Sequence, residues 1–177
     1  MKKIFLLAVS LLLSGCLGMP DGVAPVSGFE VEKYLGKWYE IARLDHSFER
    51  GLVDVTAEYA LREDGGISVL NRGYSPREQE WKQAEGKAFF VGETDEGYLK
   101  VSFFGPFYGS YVVFDLDREN YRYAFVSGPN LSYLWLLSRT PTVEPAIVDR
   151  FTREAERLGF DTAELILVDQ GVQAGGN

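Results

Sequence analysis

The 177-residue chain carries 26 acidic against 18 basic side chains, a net charge of −8 with its one histidine neutral. That sign repels phosphate backbones, and no basic stripe breaks it, so a nucleic-acid partner is excluded. One cysteine rules out an internal disulfide, and one cysteine with one histidine supplies no metal-ligand spacing. The fold must therefore hold by its core, and neither a metal nor another cofactor is expected.

Residues 1–15 read as a targeting segment. Lys2 and Lys3 precede a nearly unbroken apolar run from Ile4 to Leu13, and Ser14 and Gly15 are small. The run is too short to span a bilayer, which takes about 20 apolar residues. Leu13-Ser14-Gly15-Cys16 resembles the lipobox of bacterial lipoproteins. The resemblance implies cleavage before Cys16, a diacylglycerol thioether on its sulfur and an amide-linked acyl chain on its nitrogen. Two lipid signals already anchor stably where one is marginal. Leu17 follows the cysteine. In lipoproteins of this kind an aspartate there directs retention in the inner membrane, so the resemblance implies the outer membrane, with the chain facing the periplasm. Losing Lys2 and Lys3 leaves 16 basic against 26 acidic side chains, a net charge of −10. Such a body avoids lying flat on an anionic leaflet and leaves the acyl anchor as the tether. Residues 16–28 are rich in Gly, Pro and Val without periodicity and read as the lipidated terminus and a flexible spacer. The folded domain is expected over 29–177.

The domain begins with a short helical turn over 29–35. Gly36 then leads into a strand in which Trp38, Glu40 and Ala42 alternate with Tyr39, Ile41 and Arg43. Strands are expected over 53–62, 67–74, 81–91, 98–104, 111–116, 121–127 and 133–139. Turn signals separate them, among them Asp64-Gly65-Gly66 and Gly128-Pro129-Asn130. Eight strands on short connections predict an all-β antiparallel up-and-down barrel, closed on itself and wide enough for one small ligand. Beyond Thr140-Pro141 the apolar spacing changes to that of a helix, from Pro145 to Gly159, packed outside the barrel. A short extra strand follows at 165–168.

Alternation assigns an inward set: Ala57 and Tyr59; Ala84, Gly86 and Ala88; Leu99, Val101 and Phe103; Ala124 and Val126; Tyr133, Trp135 and Leu137. One wall is small and the others are aromatic or branched, which fits a lined pocket better than a packed core. The faces of 67–71 and 111–115 stay open by alternation. Glu40 also points inward, and a buried carboxylate needs a partner. Arg122 and Arg139 are the candidates. His46 stands alone among possible catalytic groups, next to Asp45, Glu49 and Arg50, which read as a solvated loop face, so no enzyme activity is expected. The turn Phe104-Gly105-Pro106-Phe107-Tyr108 is either an apolar contact surface or a lid folded inward.

Three stretches resemble the lipocalin family, in particular its bacterial outer-membrane members and apolipoprotein D. They are Gly36-x-Trp38-Tyr39-Glu40-Ile41-Ala42-Arg43, Tyr111 to Glu119, and Tyr133 to Pro141. The resemblance covers about residues 28–169. It implies that Trp38 and Arg139 meet at the closed end of the barrel as a structural pair. It also implies a single-chain lipid, a fatty acid or lysophospholipid, as ligand, bound for storage or carriage in the cell envelope. A homodimer through the open-end loops is a further expected partner. The alternative is a structural or protein-interaction lipoprotein without a small-molecule ligand.

Overall fold

Strand β1 (Gly36–Arg43) pairs with two neighbours at once, and that double pairing closes the sheet. Gly36 to Tyr39 lie opposite Tyr59 to Thr56 of β2 (Val53–Leu61), and Tyr39 to Arg43 lie opposite Ser138 to Trp135 of β8 (Leu134–Ser138). Between them β3 (Ile67–Ser75), β4 (Glu80–Phe90), β5 (Tyr98–Phe104), β6 (Phe107–Leu116) and β7 (Tyr123–Ser127) are neighbours in chain order. This is the expected eight-stranded antiparallel up-and-down barrel. It is a computed structural model, and it describes residues 17–171. The expected signal segment 1–15 and the expected acyl attachment at Cys16 lie outside the described residues.

Helix α1 (Val31–Tyr34) precedes β1, and helix α2 (Pro145–Arg157) packs outside the barrel. Proline at the start of α2 suits a turn whose amides lack partners, and Gly159, at φ +89°, ends it in the left-handed region that glycine tolerates. The extra strand β9 (Ile166–Leu167) pairs with Ala42 and Arg43 on the outside of β1. Beyond it Gln170 Nε2–H donates to the carbonyls of Glu40 and Val55, each at 2.7 Å, bridging the place where β1 leaves β2 for β8.

The core divides in two. Trp38, Tyr59, Val69, Leu99, Val113 and Val126 belong to a cluster inside the barrel, and the same cluster resolves the faces that alternation left open. Ile67, Val69, Tyr111 and Val113 belong to it. Phe151, Ala155 and Leu158 cover a second cluster on the outer wall, with Ala42, Phe125, Leu134 and Leu136. Ala42 was expected inside. The register against β8 slips between Glu40 and Ala42, and such a bulge shifts the alternation by one residue. Ile41 and Ala42 thus both join the outer cluster, and Arg43, expected outside, is buried beside Glu40.

One end of the barrel is closed as the resemblance implied. The Arg139 guanidinium lies 3.9 Å from the centre of the Trp38 ring and donates to the carbonyls of Lys33, Lys37 and Tyr121 at 2.6, 2.9 and 3.3 Å. Connections 62–66, 91–97 and 117–122 share that end. Connections 44–52, 76–79, 105–106 and 128–133 share the other, open end. The 104–108 stretch is mostly strand, with Phe104 paired to Phe107, and both rings are exposed, so they form no inward lid.

The expected flexible spacer is packed against the barrel, with Val23 in the outer cluster and Val26 in the inner one. Val23 and Val26 are buried, and Val26 exchanges backbone hydrogen bonds with Val113 (2.9 Å) and Gly97 (2.8 Å). Apolar side chains in 17–28 suffice to bind the segment to the barrel surface, which composition alone did not reveal.

Candidate functional site

The inner cluster is layered from the closed end upward. The Tyr34 ring lies tilted by 34° against Trp38 with centres 4.7 Å apart, and its hydroxyl and that of Tyr59 meet the Tyr111 hydroxyl at 2.7 and 2.9 Å. Burial holds all three phenols neutral, pushing Tyr59 up to about 12. Above this layer the interior opens. Ala57, Asn71 and Ala84 form one cross-strand row, and Tyr59, Val69 and Gly86 form the row beneath it. Ala57, Val101, Phe103 and Trp135 are only partly buried, and Ala84 is exposed. Ala88, Leu99, Ala124, Val126 and Leu137 are buried in the same cluster. The small wall is narrower than its composition suggests. A Cβ on Gly86 would sit 2.8 Å from the Phe103 ring, so the missing side chain there accommodates that aromatic neighbour. Asn71 Oδ1 is buried in this region without a hydrogen-bond partner.

Connection 44–52 folds back over the upper interior. Leu52 packs against Gly73, where a Cβ would meet it at 3.0 Å. His46 lies between Phe48 (ring centres 5.2 Å apart, 5° between planes) and Tyr133 (4.7 Å, 10°), with Trp135 at 4.9 Å. Tyr133, expected on the inner wall, precedes β8 and belongs to this stack instead. Glu49 is buried, correcting the expectation of a solvated face, whereas Asp45 and Arg50 pair on the surface at 2.6 Å.

The partner of Glu40 is Arg43. Nη1 donates to Glu40 Oε1 at 2.6 Å, and Nη2 donates to the Glu49 carbonyl at 3.0 Å. Neither candidate from the sequence takes that role. Arg122 pairs with Asp117 at 2.6 Å outside the barrel, and Arg139 is committed to Trp38. The Trp135 indole N–H donates to Glu49 Oε1 at 2.9 Å. Arg43, Glu49, His46 and Asn71 were thus missed as interior groups. Arg43 was hidden by the bulge, and the other three lie in a loop or on a strand whose face alternation left open.

A family model for the lipocalin-like domain matches residues 29–170. The chain belongs to the lipocalin family. It is 71% identical over 170 residues to the outer membrane lipoprotein Blc of Vibrio cholerae, covering 96% of this chain and 99% of that one. Against the outer membrane lipoprotein Blc of Escherichia coli K12 it is 55% identical over 151 residues, 85% of each chain. Mouse apolipoprotein D is 32% identical over 149 residues, covering 80% of this chain and 77% of that one. Among solved structures, insecticyanin of the tobacco hornworm superposes with a TM-score of 0.67 at 24% identity over 86% of each chain, a likeness of fold.

In this lipocalin, two carboxyls and one guanidinium share a site near the open end. Burial pushes Glu40 well above the usual carboxylate range, with the Glu49 charge adding and Arg43 opposing. Burial raises Glu49 too, against the Trp135 and Arg43 hydrogen-bonding and charge. His46 is lowered to about 4, first by burial and then by the Arg43 charge. The upper interior is therefore apolar around its girth, with two buried carboxyls gathered around Arg43 under the roof. Such a lining holds a long apolar body by burial and orients it through few polar groups.

Proposed function

We propose that this lipocalin binds a single-chain lipid, a fatty acid or lysophospholipid, in the upper barrel and stores or carries it at the outer membrane. Acyl chains on Cys16 would tether it there, and its service would be maintenance of envelope lipids. The supporting observation is the set of partly buried inner side chains Ala57, Val101, Phe103 and Trp135 above an aromatic floor. An acyl chain gains about 0.8 kcal/mol per buried methylene, so ten methylenes contribute about 8 kcal/mol before the costs of association. The names of the bacterial relatives support the location. Binding of this kind is an equilibrium in which no bond is made or broken.

Native mass spectrometry of protein purified from its own membrane tests the proposal. A co-purifying single-chain lipid, displaced by added fatty acid, supports it. An empty barrel that takes up no fatty acid, with a protein bound instead, would replace it with the interaction role.

A further inference from the structure

The open end carries five large apolar side chains that the fold leaves uncovered. Phe104 is 81% exposed, Phe107 66%, Phe48 63%, Trp81 46% and Leu131 42%. They come from all four open-end strand pairs or connections, so they surround the mouth and form no single-sided patch. Exposed rings grouped in this way mark a contact surface.

Charge separates the two ends. The closed-end connections 62–66, 91–97 and 117–122 hold seven acids (Glu63, Asp64, Glu93, Asp95, Glu96, Asp117, Glu119) against three arginines (Arg62, Arg118, Arg122). The open-end connections hold Asp45, Glu49 and Glu78 against Arg50 and Arg77, and Glu49 is buried. The connections 105–106 and 128–133 have no charged residue. An anionic leaflet thus repels the closed end and leaves the mouth nearly indifferent.

The third observation is where the chain leads its N-terminus. From Val26, bonded between Gly97 and Val113, residues 17–25 run up the outer wall. Met19, Pro20 and Asp21 lie beside Pro129, Asn130 and Leu131 of the open-end connection. A Cβ on Gly18 would lie 3.9 Å from the Pro129 carbonyl oxygen of that same connection, and the Leu17 carbonyl accepts from the Tyr98 hydroxyl on the outer wall at 3.2 Å. Cys16 is the next residue. A tether that continues from residues 18–21 leaves the barrel beside the mouth and not at the base.

We propose that the barrel sits mouth-down on the leaflet that anchors it, with Phe48, Trp81, Phe104, Phe107 and Leu131 in the interfacial region. The partner surface is a phospholipid leaflet. Aromatic side chains favour that depth, and the two-point attachment, lipid and rim, fixes an orientation that an acyl anchor on a loose spacer does not. The orientation rests on the rim, the charge and the N-terminal segment, and stands apart from whether the interior holds a ligand.

The test uses the mature lipidated protein in phosphatidylethanolamine–phosphatidylglycerol vesicles carrying brominated acyl chains, read by tryptophan fluorescence. Bromine quenches an indole only at short range. The parent is expected to be quenched severalfold more than Trp81→Phe, which retains only the interior Trp38 and Trp135. Phe104→Ser combined with Phe107→Ser is expected to reduce the Trp81-dependent quenching severalfold with the melting temperature kept. A lipid that merely enters the barrel quenches Trp135 in both backgrounds and cancels in the comparison. Equal quenching of the parent and Trp81→Phe would overturn the proposal. So would a detergent-solubilised dimer that the double serine variant dissociates while Trp81 stays unquenched in vesicles, because a second copy would then cover the rim.

Discussion

Arg43 reaches back across the β1 bulge to Glu40, Nη1 to Oε1 at 2.6 Å, and both side chains are buried inside the barrel. Without the extra residue Arg43 would point to solvent and Glu40 would be an unpaired charge under an apolar wall. Arg43→Met is expected to destabilise the domain by about 3 kcal/mol, since removing one partner of a buried pair strands the other. Adding Glu40→Leu to that variant should recover most of the loss. Urea unfolding of the two single variants and the double variant measures the coupling. Strictly additive changes would show that the two groups do not depend on each other.

Trp135 has two roles that separate by substitution. Its indole N–H satisfies the buried Glu49 carboxyl, and its ring lines the upper interior. Trp135→Phe is expected to cost about 1–2 kcal/mol by leaving Glu49 short of a donor, with lipid affinity largely kept. Trp135→Ala is expected to lose affinity as well and to cost about 3 kcal/mol or more in stability. Fatty-acid titration alongside thermal melts distinguishes the two. Unchanged affinity in the alanine variant would remove Trp135 from the site.

At the opposite end, Arg139 stacks on Trp38 and donates to three carbonyls. Arg139→Ala is expected to lower stability by about 2–3 kcal/mol through the lost stack and the stranded carbonyls. Affinity for a fatty acid should change little, because the mouth is distant. Arg139→Lys keeps the charge but not the planar fork, and should recover less than half of the loss. A melting temperature equal to that of the parent in the alanine variant would contradict the closure role.

His46 makes the stability of the roof depend on pH. Its folded value lies at about 4 against 6.5 when free, so the fold binds it neutral. A group held below its unfolded value contributes stability that is complete above about pH 6.5 and lost as the pH falls towards 4. Glu40 and Glu49, both raised, act with the opposite sign, and their contribution fades as the pH rises. Arg43 and Asp45 are the other charges that His46 feels. His46→Phe, which keeps an aromatic ring in the stack, should lose less stability than the parent between pH 6.5 and 4. Denaturant midpoints across that window compare the two, and superimposed profiles would exclude His46 as the titrating group.

Much of this lipocalin was legible in its sequence because its signals are local. Period-two alternation placed Ala57, Tyr59, Leu99, Val101, Ala124, Val126, Trp135 and Leu137 on the inner wall, and turn residues set the strand count. The change to helical spacing after Pro141 placed α2 outside. The closed end was identifiable too, through the resemblance that paired Trp38 with Arg139.

What the tertiary structure alone decided depends on events that alternation does not encode. A bulge adds one residue and reverses every face beyond it, so Ala42 went outward, Arg43 inward, and Glu40 found its partner three residues away instead of across the barrel. A loop has no period, so nothing in Leu44 to Leu52 foretold that His46 and Glu49 would be buried under the mouth while Asp45 and Arg50 stayed in water. The same holds for residues 17–28, whose composition suggested slack and whose valines instead bind them to the barrel. Local pattern sets which residues form strands. Where a chain without a pattern comes to rest depends on which apolar surface remains uncovered once the strands have closed.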